Sequence, residues 1–236
     1  MGREVAVPAA ASTRAEHVHG ALRAEILAGR LAPGARLRLI ELAERFSVSQ
    51  SVVREALTRL AGQEIVVALP QQGFRVASLT LDDLTALTEA RMHVEGQVLR
   101  LAVQRGDVAW EASVVAAHHQ LLGTPARLGT GEVNEQWLAA HETYHGALLA
   151  GCGNDRLLHV AGGLRDAAAL YRIWSVPLHD EQRDLPGEHR GILDAVLARD
   201  AAQAAGRLTR HIERTSSVLL AVADRAGEPQ PGASRR

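Results

Sequence analysis

Residues 41–76 read "ELAERFSVSQSVVREALTRLAGQEIVVALPQQGFRV", and the apolar pattern changes its period inside that stretch. The segment Leu39 to Phe46 places apolar residues at helical spacing, and after "SVSQ" the residues Val53, Leu57 and Leu60 do so again. Two helices joined by a turn of three or four residues make a helix-turn-helix. The run then passes to β-branched residues, "EIVVALPQQGFRVASL", broken by Pro70-Gln71-Gln72-Gly73, the composition of a short hairpin with a turn. Upstream, Thr13 to Glu16 reads as a capping box, and Val18, Leu22 and Ile26 recur at helical spacing until Gly29 and "LAPGARL". That predicts a first helix over 14–28.

From Leu81 onward no strand pattern returns. The periodicity predicts helices near 82–105, 108–122, 132–151, 154–175, 181–198 and 201–225, punctuated at Gly106-Asp107, Gly123 to Gly131, Gly151 to Gly153, Pro177 and Asp200. About six helices of this length can close an antiparallel bundle around an interior site. The chain therefore divides into a flexible N-terminus (1–12), a helix-turn-helix domain (13–78), a helical domain (79–226) and a disordered tail (227–236). The fold class expected is mostly α.

Composition narrows the function. A chain of 236 residues with 47% hydrophobic content can bury substantial cores, and its 3% aromatic content and absence of Lys reflect composition more than chemistry. The net charge of −1 argues against a surface that coats nucleic acid generally. The charge is unevenly placed, however: residues 1–78 hold 10 Arg and 7 Glu, whereas the remainder holds 16 Arg against 20 acids. The first part is the one suited to a polyanion. Apolar runs fall short of a membrane span, and "MGREVAVPAAAS" lacks a signal-peptide core, so the expectation is a cytoplasmic protein with no membrane partner. The single cysteine, Cys152, fits a reducing compartment.

One pattern in the second half carries coordination chemistry. In "NEQWLAAHETYHGALLAGCGN", His141 and His145 stand four residues apart, on one face of a helix where a single ion can reach both. With 11 His in the chain, chance alone supplies about half of one such pair, so the spacing is permissive only. His118, His119 and His17 read as surface or core histidines, Trp110, Trp137 and Trp174 as packing anchors, and Asn154 as a helix cap.

The stretch "GRLAPGARL...ELAERFSVSQSVVREALTRLAGQEIVVALPQQGFRV" resembles the N-terminal winged helix of GntR-family transcription regulators, in which PG, LA, VREAL, RL and the wing glycine keep these mutual spacings. The resemblance implies that Ser49, Gln50, Ser51, Arg54 and the wing residues Gln72 and Gly73 contact double-stranded DNA. A recognition helix needs small polar residues at its N-terminus to approach the groove, and apolar residues behind them to dock it. Read singly, Ser49 is equally an N-cap and Arg54 a solvated charge. Many relatives carry Arg in place of Gln50 and Gly in place of Ser47, and Gln pairs with adenine where Arg prefers guanine, so a different operator is expected.

Residues 82–225 resemble the FCD effector domain of the FadR-type subgroup through "EARMHVEGQVLRLA", "HETYHGALLAGCGN" and "EHRGILDAVLARDAAQAAGRLTRHI". In that family an Asp and a His four apart, with one His from each of two later helices, hold a divalent metal. Carried over by position, the histidines are His145, His189 and His211, and His141 occupies the place of the Asp. Four neutral imidazoles favour Zn or Ni over Mn or Mg and leave the charge of the ion uncompensated. Alternatively His141 points away, leaving three ligands and an open position. Arg91, in the family's E-x-R-x-x-x-E stretch with Glu89 and Glu95, is implied as a clamp for a small carboxylate effector; its competing role is an intrahelical pair with Glu95.

The function expected is thus a non-enzymatic, ligand-responsive transcription regulator, acting as a homodimer on a palindromic operator. Two alternatives remain: the same DNA-binding role with a metal-free effector pocket, and a metal-dependent hydrolase. The second needs a general base beside the ion.

Overall fold

The computed structural model describes residues 9–78, 80–130, 133–175 and 183–227. The chain forms two compact units, Met1–Leu79 and Thr80–Arg236. The expected flexibility of residues 1–8, the punctuation at Pro177, the packing role of Trp174 and the expected tail from 228 onward lie outside what is described.

The first unit runs α1 (Ala9–Leu27), β1 (Arg36–Leu37), α2 (Leu39–Phe46), α3 (Gln50–Gly62), β2 (Val66–Leu69) and β3 (Gly73–Val76). Its three strands lie in the order β1-β3-β2, all antiparallel, with Leu37 opposite Phe74 and Val66 opposite Val76. Val18, Leu22 and Ile26 of α1 and Val53, Ala56, Leu57 and Leu60 of α3 are buried against one another, which is the helical periodicity turned into a core. Each buried Leu or Ile contributes about 1.5–3 kcal/mol over leaving it exposed. Two details depart from expectation. Helix α1 starts at Ala9, so Thr13 lies within it and does not cap it. The wing has a third strand, β1, too short at two residues to leave a period in the sequence.

Ser47, Glu64 and Gln71 are the left-handed non-glycine residues described in this unit, and two of them set its turns. Gln71, with φ of 60°, follows Pro70 in a turn that Gln72 closes by donating its N–H to the Leu69 carbonyl at 3.1 Å. That is the type II pattern, and it sets the hairpin tip. Ser47 closes α2 at φ 52° and ψ 45°. A glycine adopts that conformation without the clash of a Cβ, so it is the less strained residue for this position.

In the second unit, α4 (Leu81–Arg105), α5 (Val108–Leu122), α6 (Glu135–Ala150), α7 (Asp155–Ser175), α8 (Leu185–Leu197) and α9 (Ala201–Gly227) are the six expected helices. Their starts are fixed by side-chain caps: Thr80 on Asp83, Asp107 on Trp110, Asn134 on Gln136, Asn154 on Arg156 and Leu157, Asp184 on Gly187, and Asp200 on Gln203. Each supplies an acceptor to a backbone N–H that the helix itself cannot satisfy. Helix α4 packs most extensively along α9, α5 along α6, and α8 along α9. Val98, Leu99, Val114, Leu148, Ile192, Val196 and Leu208 form one apolar core between them. Trp110 is a packing anchor: it lies against Gly106 and Gly151, where any Cβ would collide with the indole, and donates Nε1–H to the Ala147 carbonyl at 2.8 Å. Trp137 is buried as well.

Ser47→Gly relieves the left-handed strain at the end of α2. It is expected to stabilise the chain by about 1 kcal/mol in urea unfolding, with the recognition helix unchanged; a variant no more stable than the parent contradicts this account of the turn.

Candidate metal centre and nucleic-acid face

Helix α6 carries His141 and His145 one turn apart on its buried side, α8 contributes His189 and α9 contributes His211. The four rings are no more than 6% exposed, and one nitrogen from each lies within 4.8 Å of the others. The closest ring centroids are those of His141 and His145 at 4.4 Å and of His189 and His211 at 4.7 Å. His141, the position of doubt, therefore lies with the other three. Tyr144, fully buried, donates its hydroxyl to the His189 carbonyl at 2.9 Å and so ties α6 to α8 beside the cluster.

The donor set suits a divalent ion. The Nε2 of His189 is buried and makes no hydrogen bond. His211 donates Nδ1–H to Glu188 Oε2 at 2.9 Å, which leaves its Nε2 as the lone-pair nitrogen. Burial lowers the pKa of His189 well below the usual histidine value, and the neighbouring His211 adds to that; burial also lowers His211, only partly opposed by its bond to Glu188. Both rings are thus held neutral, the form that coordinates. Glu188 is the opposite case. Burial pushes its carboxyl up, but hydrogen bonds from His211 and Arg183 outweigh that and hold it well below the carboxylate range. Arg183 contacts it twice, Nε to Oε1 at 3.0 Å and Nη2 to Oε2 at 2.6 Å, and Arg214 adds a third contact at 3.2 Å.

Sequence reading missed Glu188 and Arg183. Glu188 adjoins His189 in the chain, yet its partner His211 lies 23 residues away, and no local spacing records that contact. Arg91, expected to clamp an effector, donates Nε–H to Glu95 Oε1 at 2.6 Å, and both are buried within α4. The cavity it lines is about 20 Å³. Glu89 is exposed. Glu142, the neighbour of His141, is engaged by Arg165 at 2.6 and 3.0 Å, which leaves it committed to an ion pair. His118 is a core residue packed edge-on against Tyr144, whereas His17 and His119 are exposed.

In the first unit, α3 begins at Gln50 with Ser49 in the N-cap position. The Ser49 hydroxyl pairs with that of Ser51 at 2.8 Å and makes no cap hydrogen bond. Ser49, Gln50, Ser51 and Arg54 are exposed. Gln50 and Arg54 line a groove of about 890 Å³ together with Gln72 and Gly73 of the wing. Ser49 and Ser51 lie at the same helix end but outside that wall. The groove is also lined by Arg36 and Arg38, which sequence reading did not single out; Arg36 donates to the Gln72 carbonyl at 3.3 Å and Arg38 pairs with Glu41 at 2.7 Å. The two arginines belong to β1 and its edge, the strand that left no sequence period.

Comparison with known proteins follows the same division. The description "Bacterial regulatory proteins, gntR family" matches residues 14–76, and that of the FCD domain matches residues 86–214. The FCD match alone spans more than half of the chain. The protein belongs to the gntR family, with an FCD domain. It is a DNA-binding transcription regulator, and its relatives are regulators rather than enzymes. The HTH-type transcriptional repressor GlaR of Escherichia coli is 34% identical over 198 residues, 81% of this chain and 89% of that one. BphR, an HTH-type transcriptional regulator of Paraburkholderia xenovorans, is 36% identical over 200 residues, covering 84% and 82%. Among solved structures, McbR/YncC of E. coli superposes with a TM-score of 0.75 at 22% identity, over 89% of this chain and 98% of that one, which speaks for the fold. Among the described residues, no helix of this regulator is long and apolar enough to cross a membrane.

The buried histidines give the metal-free protein a defined response to acid. His189 and His211 take up protons less readily folded than unfolded, so below about pH 6.5 the unfolded chain binds more protons and stability falls. Glu188, whose folded pKa is depressed, adds stability that is present above about pH 4.3 and is lost below it. Urea midpoints of the metal-free chain should therefore fall between pH 7 and 5, and fall less in His189→Gln; equal slopes for the two proteins would refute the assignment.

Proposed function

We propose that this regulator binds a palindromic operator as a homodimer in the cytoplasm, and that its helical unit binds one divalent metal ion and a small carboxylate effector that modulates DNA binding. The observation that carries the metal reading is the convergence of four buried imidazoles from three helices, with Glu188 behind His211. His141, His145, His189 and His211 would hold the ion, which supplies a fixed charge and a site for an anionic ligand. Four nitrogen donors favour Zn or Ni. The Glu188 carboxylate supplies, one bond removed, part of the negative charge that a directly bound Asp would bring.

For DNA, the reading rests on the convergence of Gln50, Arg54, Gln72 and Gly73 on one groove, with Ser49 and Ser51 at the helix end that approaches phosphates. Gln50 is the residue suited to adenine, through the paired donor and acceptor of its amide. The homodimer rests on the two-fold logic of operator half-sites. Arg91, held one-to-one by Glu95, is better placed to fix charge within α4 than to clamp a ligand.

Elemental analysis of protein purified without added metal should find about one ion per chain, falling to near zero in His145→Ala/His189→Ala. Glu188→Gln should keep the ion at saturation but bind it about 10–100-fold more weakly. Metal content unchanged by the double substitution sinks the site. On the DNA side, Gln50→Arg should move the preference at one operator position from adenine to guanine by about 1–3 kcal/mol in competition binding. The same preference before and after would remove Gln50 from the reading face.

A further inference from the structure

A cavity of about 280 Å³ lies beside the histidine cluster, with His189 and Arg183 in its wall. Trp137, Leu121 and Leu185 make the wall apolar, and Thr124 adds a hydroxyl. Its size is at the lower end for small-molecule sites, which run from about 300 Å³ upward. Among the residues lining it, Arg183 is the only one that carries a permanent charge.

The hydrogen bonds of Arg183 are unevenly used. Nε and Nη2 donate to Glu188, and Nη2 also reaches Thr215 Oγ1 at 3.1 Å and the His211 carbonyl at 3.4 Å. Nη1 donates to nothing among the described residues. Among the described residues charge is unbalanced in the same direction, because Arg183 and Arg214 both face the single carboxylate of Glu188. Arg91 differs in charge and in space. It is matched by Glu95, and its cavity of about 20 Å³ has room for no more than a water molecule.

We infer that Arg183 is the anion-binding residue of the effector site, and that the effector is a small carboxylate with a short apolar body seated in the cavity beside His189. This rests on the regulator reading given above and assigns the place and chemistry of its ligand. Arg183 thereby has two carboxylates to serve. When the ligand takes a share of its hydrogen bonds, Glu188 becomes a stronger acceptor for His211 Nδ1–H, and His211 a better donor to a metal. Acid and metal then each strengthen binding of the other, by the same factor in both directions.

The test uses the full-length protein, with and without one equivalent of Zn, titrated calorimetrically with butyrate and benzoate and with their amides. The acids should bind at least tenfold more tightly than the amides, and binding should weaken at least tenfold in Arg183→Gln. Leu122→Trp, at the exposed rim of the cavity, leaves the buried ion pairs alone and should block the acids, which keeps the test open if Arg183→Gln fails to fold. Arg91→Gln/Glu95→Gln should leave acid affinity within about twofold, far below the tenfold step that a charge contact carries. Equal binding of acids and amides overturns the inference, as does acid affinity that survives both Arg183→Gln and Leu122→Trp. Zn retained with acid binding indifferent to Arg183 removes this site and leaves the metal reading standing. Acid binding that depends on Arg183 in a protein that takes up no Zn does the reverse.

Discussion

Placing four imidazoles in the core of a helical bundle is costly unless something repays their desolvation, and much of the second unit is arranged around that cost. Three helices must present the rings to one point: α6 twice, α8 and α9 once each. Tyr144 holds the backbone of α8 at His189, and Glu188 holds the ring of His211. Neither interaction is needed to bury apolar surface, which the surrounding Leu, Val and Ile residues already accomplish. Their effect is to fix ring position and tautomer, as coordination requires.

The electrostatics follow from that arrangement. His189 and His211 are held neutral, and the carboxylate beside them is Glu188, kept ionised by His211 and Arg183 in spite of its partial burial. The largely buried pair of Glu188 and Arg183 is stable only together, since removing either leaves a charge short of compensation in a poor solvent, whereas Arg214 reaches it from the exposed side. That mutual dependence makes Arg183 more than a surface cation. It also lines the cavity beside His189.

How much of this was legible in the sequence depended on the range of each contact. The recognition helix, the wing turn and the six bundle helices follow from spacings within a few residues, and so do the cap at Asn154 and the breaks at Asp107 and Asp200. Strand β1 does not, because two residues carry no period, and the arginines Arg36 and Arg38 were lost with it. The His141–His145 pair was visible by spacing, whereas His189 and His211 acquired meaning only through the family resemblance. The pairing of Arg91 with Glu95 was one of two readings at i+4, and the structure displays it. Glu188 with His211, and Arg183 with Thr215, join residues 23 and 32 apart between α8 or the turn before it and α9, and only the fold brings them together.

The three departures from family pattern differ in kind. Ser47 is a matter of backbone geometry: its left-handed conformation persists without glycine, at a cost in stability that touches no ligand. His141 and Gln50 are matters of chemistry. An imidazole in place of a carboxylate keeps a donor and drops a charge, so under the proposed reading the four rings could still close on an ion while leaving more of its charge for an external anion. Exchanging Arg for Gln at the head of the recognition helix likewise keeps a bidentate hydrogen-bonding group and changes the base it matches. At both positions the proposed reading leaves the scaffold alone and alters only what a side chain would bind. That is the pattern expected when function resides in a few side chains carried on a shared scaffold.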